Sequence, residues 1–296
     1  MAQPPYIQFL SVTKAFNKHL VLDNLSLDIP YGEITGVIGS SGSGKTTILN
    51  ILIGFIKQDS GKILFQSREV LKDITNVSTI FGFASQGGSF YHELSVYENL
   101  MYFGKLYGLK TKDIKKRVDY LLKILELEAS KKTLAKSLST GMARRLDIAC
   151  ALIHTPKVLI LDEPTEELDP LLRKELIKTL KKIRDDGTTI ILSSHLLGEL
   201  ESLCDKIAIL KGGKIVKMDS PINLKKEYKT ESLDEVFEIV MKGASIRNIT
   251  VATPDKIAKD QRNYIFEYKR KEPEKQIRSQ KEKITRQEVE EVFRKL

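Results

Sequence analysis

The 296-residue chain has only two cysteines, Cys150 and Cys204. That is too few for a disulfide scaffold, and both stand among apolar residues at helical spacing, which points to a reducing compartment. Its four histidines, His19, His92, His154 and His195, are scattered without any metal-ligand spacing. No apolar run reaches the roughly 18 residues that a membrane helix needs, so no membrane span is expected. The opening Met1-Ala2-Gln3-Pro4-Pro5 lacks a basic segment followed by an apolar one, so no secretory signal is expected either. Hydrophobic residues make up 41% and charged residues 29%, a balance that excludes a disordered chain. The length allows two domains, or one large domain with an appendage, each with its own core.

The net charge of +9 is unevenly placed. From Lys242 to Leu296 there are 15 Lys and Arg against 9 Asp and Glu, two thirds of the whole excess. Such a tail is either a solvated, partly helical segment or a contact with nucleic acid or an anionic membrane face. Acids alternate with the bases, which favours the solvated reading.

Short apolar or alternating runs at Tyr6–Val12, Leu20–Leu22, Leu25–Ile29, Ile34–Ile38 and Ile63–Phe65 predict strands separated by turn residues such as Asn17, Asp23-Asn24, Pro30 and Gly32. One helix is predicted between them, from about Gly44 to Lys57. Helical spacing then dominates residues 93–150, through Val96–Tyr107, Ile114–Leu125 and Ala143–Leu152. Strands return at Val158–Leu161, Thr189–Leu192 and Ile207–Leu210, alternating with helices at Leu171–Arg184 and Leu196–Leu203. That alternation predicts a parallel sheet with helical crossovers. The expected order is therefore β-rich, all-helical insert, then α/β. A break follows at Ser220-Pro221, and Ser232-Leu233-Asp234-Glu235 forms a capping box for a helix to about Met241. A linker at 242–245 leads to expected strands at Ile249–Ala252 and Tyr264–Tyr268 and a last capped helix from Thr285 to Lys295. The domains expected are 1–242, with a helical subdomain at about 93–150, and a small basic α+β appendage at 243–296.

Gly39-Ser40-Ser41-Gly42-Ser43-Gly44-Lys45-Thr46 fits the phosphate-loop pattern G-x-x-x-x-G-K-[ST], between an apolar strand and a helix, where that pattern belongs. The glycines let backbone N–H groups curl round a phosphate, and the helix N-terminus adds partial positive charge. Lys45 reaches the β- and γ-phosphates, Thr46 offers a hydroxyl to Mg²⁺, and Thr47 continues the same turn. Val158-Leu159-Ile160-Leu161-Asp162-Glu163 ends a buried strand in two acids. Asp162 is the expected second Mg²⁺ group, and Glu163 faces the attacking water.

With these motifs the sequence resembles the ATP-binding cassette (ABC) ATPases over about residues 6–220. Leu138-Ser139-Thr140-Gly141-Met142, followed by Arg144-Arg145, looks like that family's signature motif, and Ser139 stands 23 residues before Asp162. Gln86 matches the glutamine of the Q-loop, a catalytic and Mg²⁺-directed position. Leu168-Asp169-Pro170 matches the D-loop, His195 the switch histidine, and Phe16 the aromatic ring under adenine. Phe16 taken alone reads more often as core, and its place after the first strand beside Lys14 and Asn17 brings the stacking reading level with that; Ser139 alone reads as an ordinary helix N-cap. The resemblance implies a P-loop NTPase core with an N-terminal antiparallel β subdomain and an all-helical insert carrying the signature. It implies ATP and Mg²⁺ as cofactors. It also implies a head-to-tail homodimer or heterodimer in which ATP lies between Lys45 of one subunit and Ser139 and Gly141 of the other.

Two departures stand out. Thr140 and Met142 replace the glycine and glutamine common in the signature, and Met is frequent in export-type relatives. Glu166-Glu167 replace small or polar residues, crowding five carboxylates (Asp162, Glu163, Glu166, Glu167 and Asp169) into eight residues. Like charges at that range repel one another and ATP. The expected function is the ATPase subunit of a transporter, export favoured, with a separate transmembrane permease as partner. The subunit is then cytoplasmic and peripheral on the inner face of the cell membrane, with no specific nucleic-acid partner. The alternatives are a translation or repair ATPase without permease, or a weakly hydrolysing regulatory subunit.

Overall fold

The structure is a computed structural model and describes residues 4–70, 74–85 and 87–243. The expectations for Gln86 and for the strands and helix beyond Gly243 lie outside the described residues.

Two sheets organise the chain. Strands β1 (Ile7–Phe16), β2 (His19–Ile29), β4 (Ser60–Phe65) and β5 (Arg68–Glu69) form an antiparallel sheet in the order β2-β1-β4-β5. Strands β3 (Ile34–Ile38), β6 (Phe81–Ala84), β7 (Val158–Asp162), β8 (Thr189–Ser193), β9 (Lys206–Lys211) and β10 (Lys214–Asp219) form the second, in the order β10-β9-β3-β8-β7-β6. All its pairings are parallel except β10 with β9. The central strands β3, β7 and β8 are buried along their whole length, which is why they read as unbroken apolar runs.

Alternate side chains of these strands serve two cores. Val158 and Ile160 of β7, with Ile191 of β8, pack under helix α1 (Lys45–Leu52) and the antiparallel sheet. Leu159 and Leu161, with Ile190 and Leu192, face the helices of the other side. Those include α3 (Val96–Leu106), α4 (Thr111–Ile124) and α5 (Thr140–Leu152) of the insert, and α6 (Pro170–Asp185) and α7 (Leu197–Leu203) of the crossovers. A further helix, α2 (Ile74–Ile80), precedes β6. Helices α8 (Pro221–Tyr228) and α9 (Leu233–Lys242) bury Leu224, Leu233 and Val236 completely in this same second core. The loops after β3, β8 and β7 emerge side by side at the carboxyl edge of the parallel sheet, the usual place for a ligand in such a fold.

The structure differs from the sequence reading in several places, with α2 and β5 among the elements not foreseen. Leu20–Leu22 and Leu25–Ile29 are one strand, because Asn24 takes a left-handed conformation (φ 46°) and the register shifts instead of the chain turning. Helix α1 stops at Leu52, five residues early, since Gly54 leaves the helical region at φ 79°. Strand β10 forms a hairpin with β9 across Gly212-Gly213, whose positive φ values suit a tight turn. The break at Ser220-Pro221 is a helix start: Ser220 accepts from the Asn223 N–H and Pro221 fills the first turn of α8.

Candidate active site

Gly39–Gly44 link β3 to α1 as a tight loop. Gly44 is the N-cap of α1 at φ 106°, where a Cβ would press to 3.0 Å on Leu22 and Val21. A glycine cap supplies no side-chain acceptor, so the first N–H groups of α1 stay available to an anion. Ser43 Oγ is buried without a hydrogen-bond partner beside them. Lys45 folds back over the loop, donating to the carbonyls of Gly39 (3.0 Å) and Ser40 (3.3 Å). A buried ammonium, a run of backbone donors and an orphan hydroxyl suit a polyphosphate.

Thr46 donates its hydroxyl to Asp162 Oδ2 at 3.0 Å, joining the phosphate loop to the end of β7. Ser193, at the end of β8, donates to Asp162 Oδ1 at 2.5 Å. Parallel register sets that contact, since Asp162 pairs with Ser193 across β7 and β8. A hydroxyl and a carboxylate in contact are hard oxygen donors of the kind Mg²⁺ takes alongside phosphate oxygens, so these residues fit the ion. Among the described residues no three His, Cys, Asp or Glu side chains gather as an all-protein metal site.

Glu163 adopts φ 48°, a left-handed conformation costly for a residue with a Cβ. It turns the carboxylate back over the sheet edge. Glu163 Oε2 accepts from the His195 backbone N–H (3.2 Å) and lies 2.9 Å from His195 Nδ1. Glu163 Oε1 lies 3.9 Å from Lys45 Nζ. The structure thus brings Lys45, Thr46, Asp162, Glu163 and His195 together.

The phosphate loop frames that group, while Ser139, Gly141, Asp169 and Phe16 make their contacts elsewhere. Ser139 caps α5, accepting from the Met142 N–H at 3.4 Å, and its hydrogen bond stays within its own helix. Gly141 is buried against α6, where a Cβ would come within 2.9 Å of Leu172 Cδ1. Asp169 caps α6 through the N–H groups of Leu171 and Leu172. Phe16, at the end of β1, is 42% exposed, which removes the core reading, and Lys14 Nζ lies 5.4 Å from its ring centre.

A model of the ABC transporter family matches residues 22–166, from β2 through the acidic end of β7. The chain is 34% identical to the linearmycin resistance ATP-binding protein LnrL of Bacillus subtilis (strain 168), over 74% of this chain and 70% of that one. The chain belongs to the ABC transporter family. It is an ATP-binding subunit of that family and an ATPase. It is also 35% identical to the Nod factor export ATP-binding protein I of Neorhizobium galegae, over 74% of this chain and 63% of that one. Among solved structures it is similar to cbiO1 from Clostridium perfringens, part of the ABC transporter complex cbiONQ. That match has 30% identity and a TM-score of 0.70, covering 76% of this chain and 92% of the other. No described helix of this ABC subunit is long and apolar enough to cross a membrane.

Sequence reasoning named Arg144 only as part of the signature and missed Asp147 and Ser193. Arg144 is heavily bonded beside the site. It donates to the carbonyls of Ser85 (2.6 Å), Asp162 (2.8 Å), Glu163 (2.8 Å) and Pro164 (3.0 Å). Its charge also faces Asp147, Asp162, Glu166 and Glu167, so the crowded acids have a buried cation among them. A cavity of about 310 Å³ lies over this cluster, between Phe90, Leu138, Thr140, Arg144, Glu166 and Glu167.

Proposed function

We propose that this chain is the ATP-hydrolysing subunit of an export-type ABC transporter, working as a head-to-tail dimer around two ATP and driving a separate transmembrane permease. One observation carries the chemistry: the Glu163 carboxylate sits between the His195 ring and Lys45 Nζ, one residue past the Asp162 that meets Thr46. Lys45 and the α1 N-terminus bind the phosphates, and Glu163 takes the proton of the attacking water while His195 holds its carboxylate. Thr46 and Asp162, with Gln86, would hold Mg²⁺, which would supply neutralisation of phosphate charge. Ser139 and Gly141, on the far side of the Arg144 cluster, serve the ATP of the other subunit with Asp169, and Phe16 stacks on adenine.

Export follows from the kind of relative the chain matches, which includes a Nod factor export subunit. Residues 1–242 form the ATPase unit, with the insert α3–α5 as the face toward the permease, and 243–296 form a basic appendage. The subunit then lies on the inner face of the cell membrane, held by the permease. The test compares Lys45→Ala with Ser139→Ala by nucleotide affinity and sedimentation. Lys45→Ala abolishes ATP binding by the monomer. Ser139→Ala leaves that binding nearly intact and impairs ATP-driven dimerisation. Equal loss of monomer affinity in both variants refutes the sandwich.

A further inference from the structure

Glu163 occupies its left-handed conformation with three successive carbonyls, those of Asp162, Glu163 and Pro164, turned toward one guanidinium. The Arg144 side chain is 9% exposed and that of Asp147 1%. Arg144 Nη1 also donates to Asp147 Oδ2 at 3.4 Å, and Asp147 Oδ1 accepts the Ser89 N–H at 2.7 Å. With Ser85 O on Arg144 as well, the pair grips both Ser85 and Ser89, on either side of position 86. Five residues before Arg144, the same helix α5 opens at Ser139.

We propose that Arg144, oriented by Asp147, is a positioning residue that locks the Glu163 backbone and joins it to the helix presenting Ser139. The geometry needs a planar fork. Five N–H donors of fixed direction serve four carbonyls and a carboxylate at once, and a lysine head cannot. A strained backbone persists only where its surroundings over-determine it, and here the surroundings are this guanidinium, together with Ser193, whose carbonyl and hydroxyl accept the Glu163 N–H. The coupling part rests on the dimer proposed above. There Glu163 acts on its own subunit's ATP and Ser139 on the partner's, so one rigid link through Arg144 makes each site sense the other.

The test uses the full-length chain and Arg144→Lys, which keeps a cation opposite Asp147. Three quantities are measured: ATP affinity without divalent cation, kcat with KM, and the Hill coefficient for ATP. The expected result is kcat lowered about 10- to 100-fold, the scale of a misplaced catalytic group. ATP affinity stays within about twofold, and the Hill coefficient falls toward 1. Unchanged kcat overturns the proposal, and so does a fall in ATP affinity equal to the fall in kcat, which marks general damage. Should Arg144→Lys not fold, Asp147→Asn carries the same test, since it keeps an oxygen for the Ser89 N–H and withdraws only the charge. Failure of the wild-type chain to dimerise with ATP overturns the sandwich, while the split between kcat and affinity still decides the positioning role.

Discussion

At His154 the fold buries a neutral imidazole. The ring stacks on Tyr107 with centroids 3.8 Å apart, Nε2 lies 3.2 Å from the Phe81 carbonyl, and Nδ1 is buried without a partner. Burial lowers its pKa to about 4; the Phe81 hydrogen bond opposes that shift and Arg117 adds to it. The unfolded chain takes up this proton near pH 6.5, the native chain only near 4. The stability is therefore complete above pH 6.5 and is lost as pH falls through the window, about 2 kcal/mol by pH 5. Asp147 does the reverse. Burial raises its pKa to about 6, against the hydrogen bond from Ser89 and the charge of Arg144. The native chain then protonates first, and stability rises by about 1.5 kcal/mol between neutral pH and pH 5. The two terms nearly cancel in the wild type, so single variants expose them. Urea unfolding at pH 7.5 and pH 5 should show His154→Gln losing about 2 kcal/mol less than wild type on acidification, and Asp147→Asn losing about 1.5 kcal/mol more. Comparing each variant with itself at two pH values removes the fixed cost of the substitution. An acid sensitivity equal to wild type in either variant, or the opposite ordering, refutes the argument.

Glu163→Gln keeps the shape beside His195 and removes the acceptor charge, so turnover should fall about 10²- to 10⁴-fold while an ATP-bound dimer accumulates in sedimentation. Unchanged turnover removes Glu163 from its role. Truncation after Gly243 should leave ATP turnover within about twofold, because Leu224, Leu233 and Val236 already close the core and Gly243 ends α9 in the left-handed conformation. The same truncation should weaken association with the partner in a salt-dependent way, most visibly at low salt, since the tail's excess positive charge is screened by added ions. Loss of turnover on truncation places the tail inside the catalytic unit.

The central strands were legible because burial on both faces demands unbroken apolar runs, and Val158–Leu161 and Thr189–Leu192 have them. The insert was legible because its helices bury one stripe each, as in α4, where Ile114, Val118, Leu121 and Leu122 are buried among lysines. What failed was the punctuation. Asp23-Asn24 has turn chemistry, yet here an asparagine with positive φ absorbs a register shift inside a long strand. Ser220-Pro221 has break chemistry, yet the same pair of residues is also the best start a helix has. Local residues choose between such outcomes only through the neighbours they later pack on.

The site divides along the same line. A phosphate needs glycines, a lysine and a hydroxyl at fixed spacing on one loop, so Gly39–Thr46 announces itself. Asp162 and Glu163 are announced by the apolar strand they end. Ser193 was missed because its hydroxyl matters only through register: it meets Asp162 once β8 lies parallel beside β7, and that strand order is not written locally. Arg144 was named but not understood for a deeper reason. Four of its partners are backbone carbonyls, which every residue owns, so no side-chain pattern marks them. Its clue was present as a charge imbalance, five carboxylates in eight residues with no base among them. The structure places the Arg144 cation on the helix that begins at Ser139, so the charge that offsets the acids also ties the two motifs together.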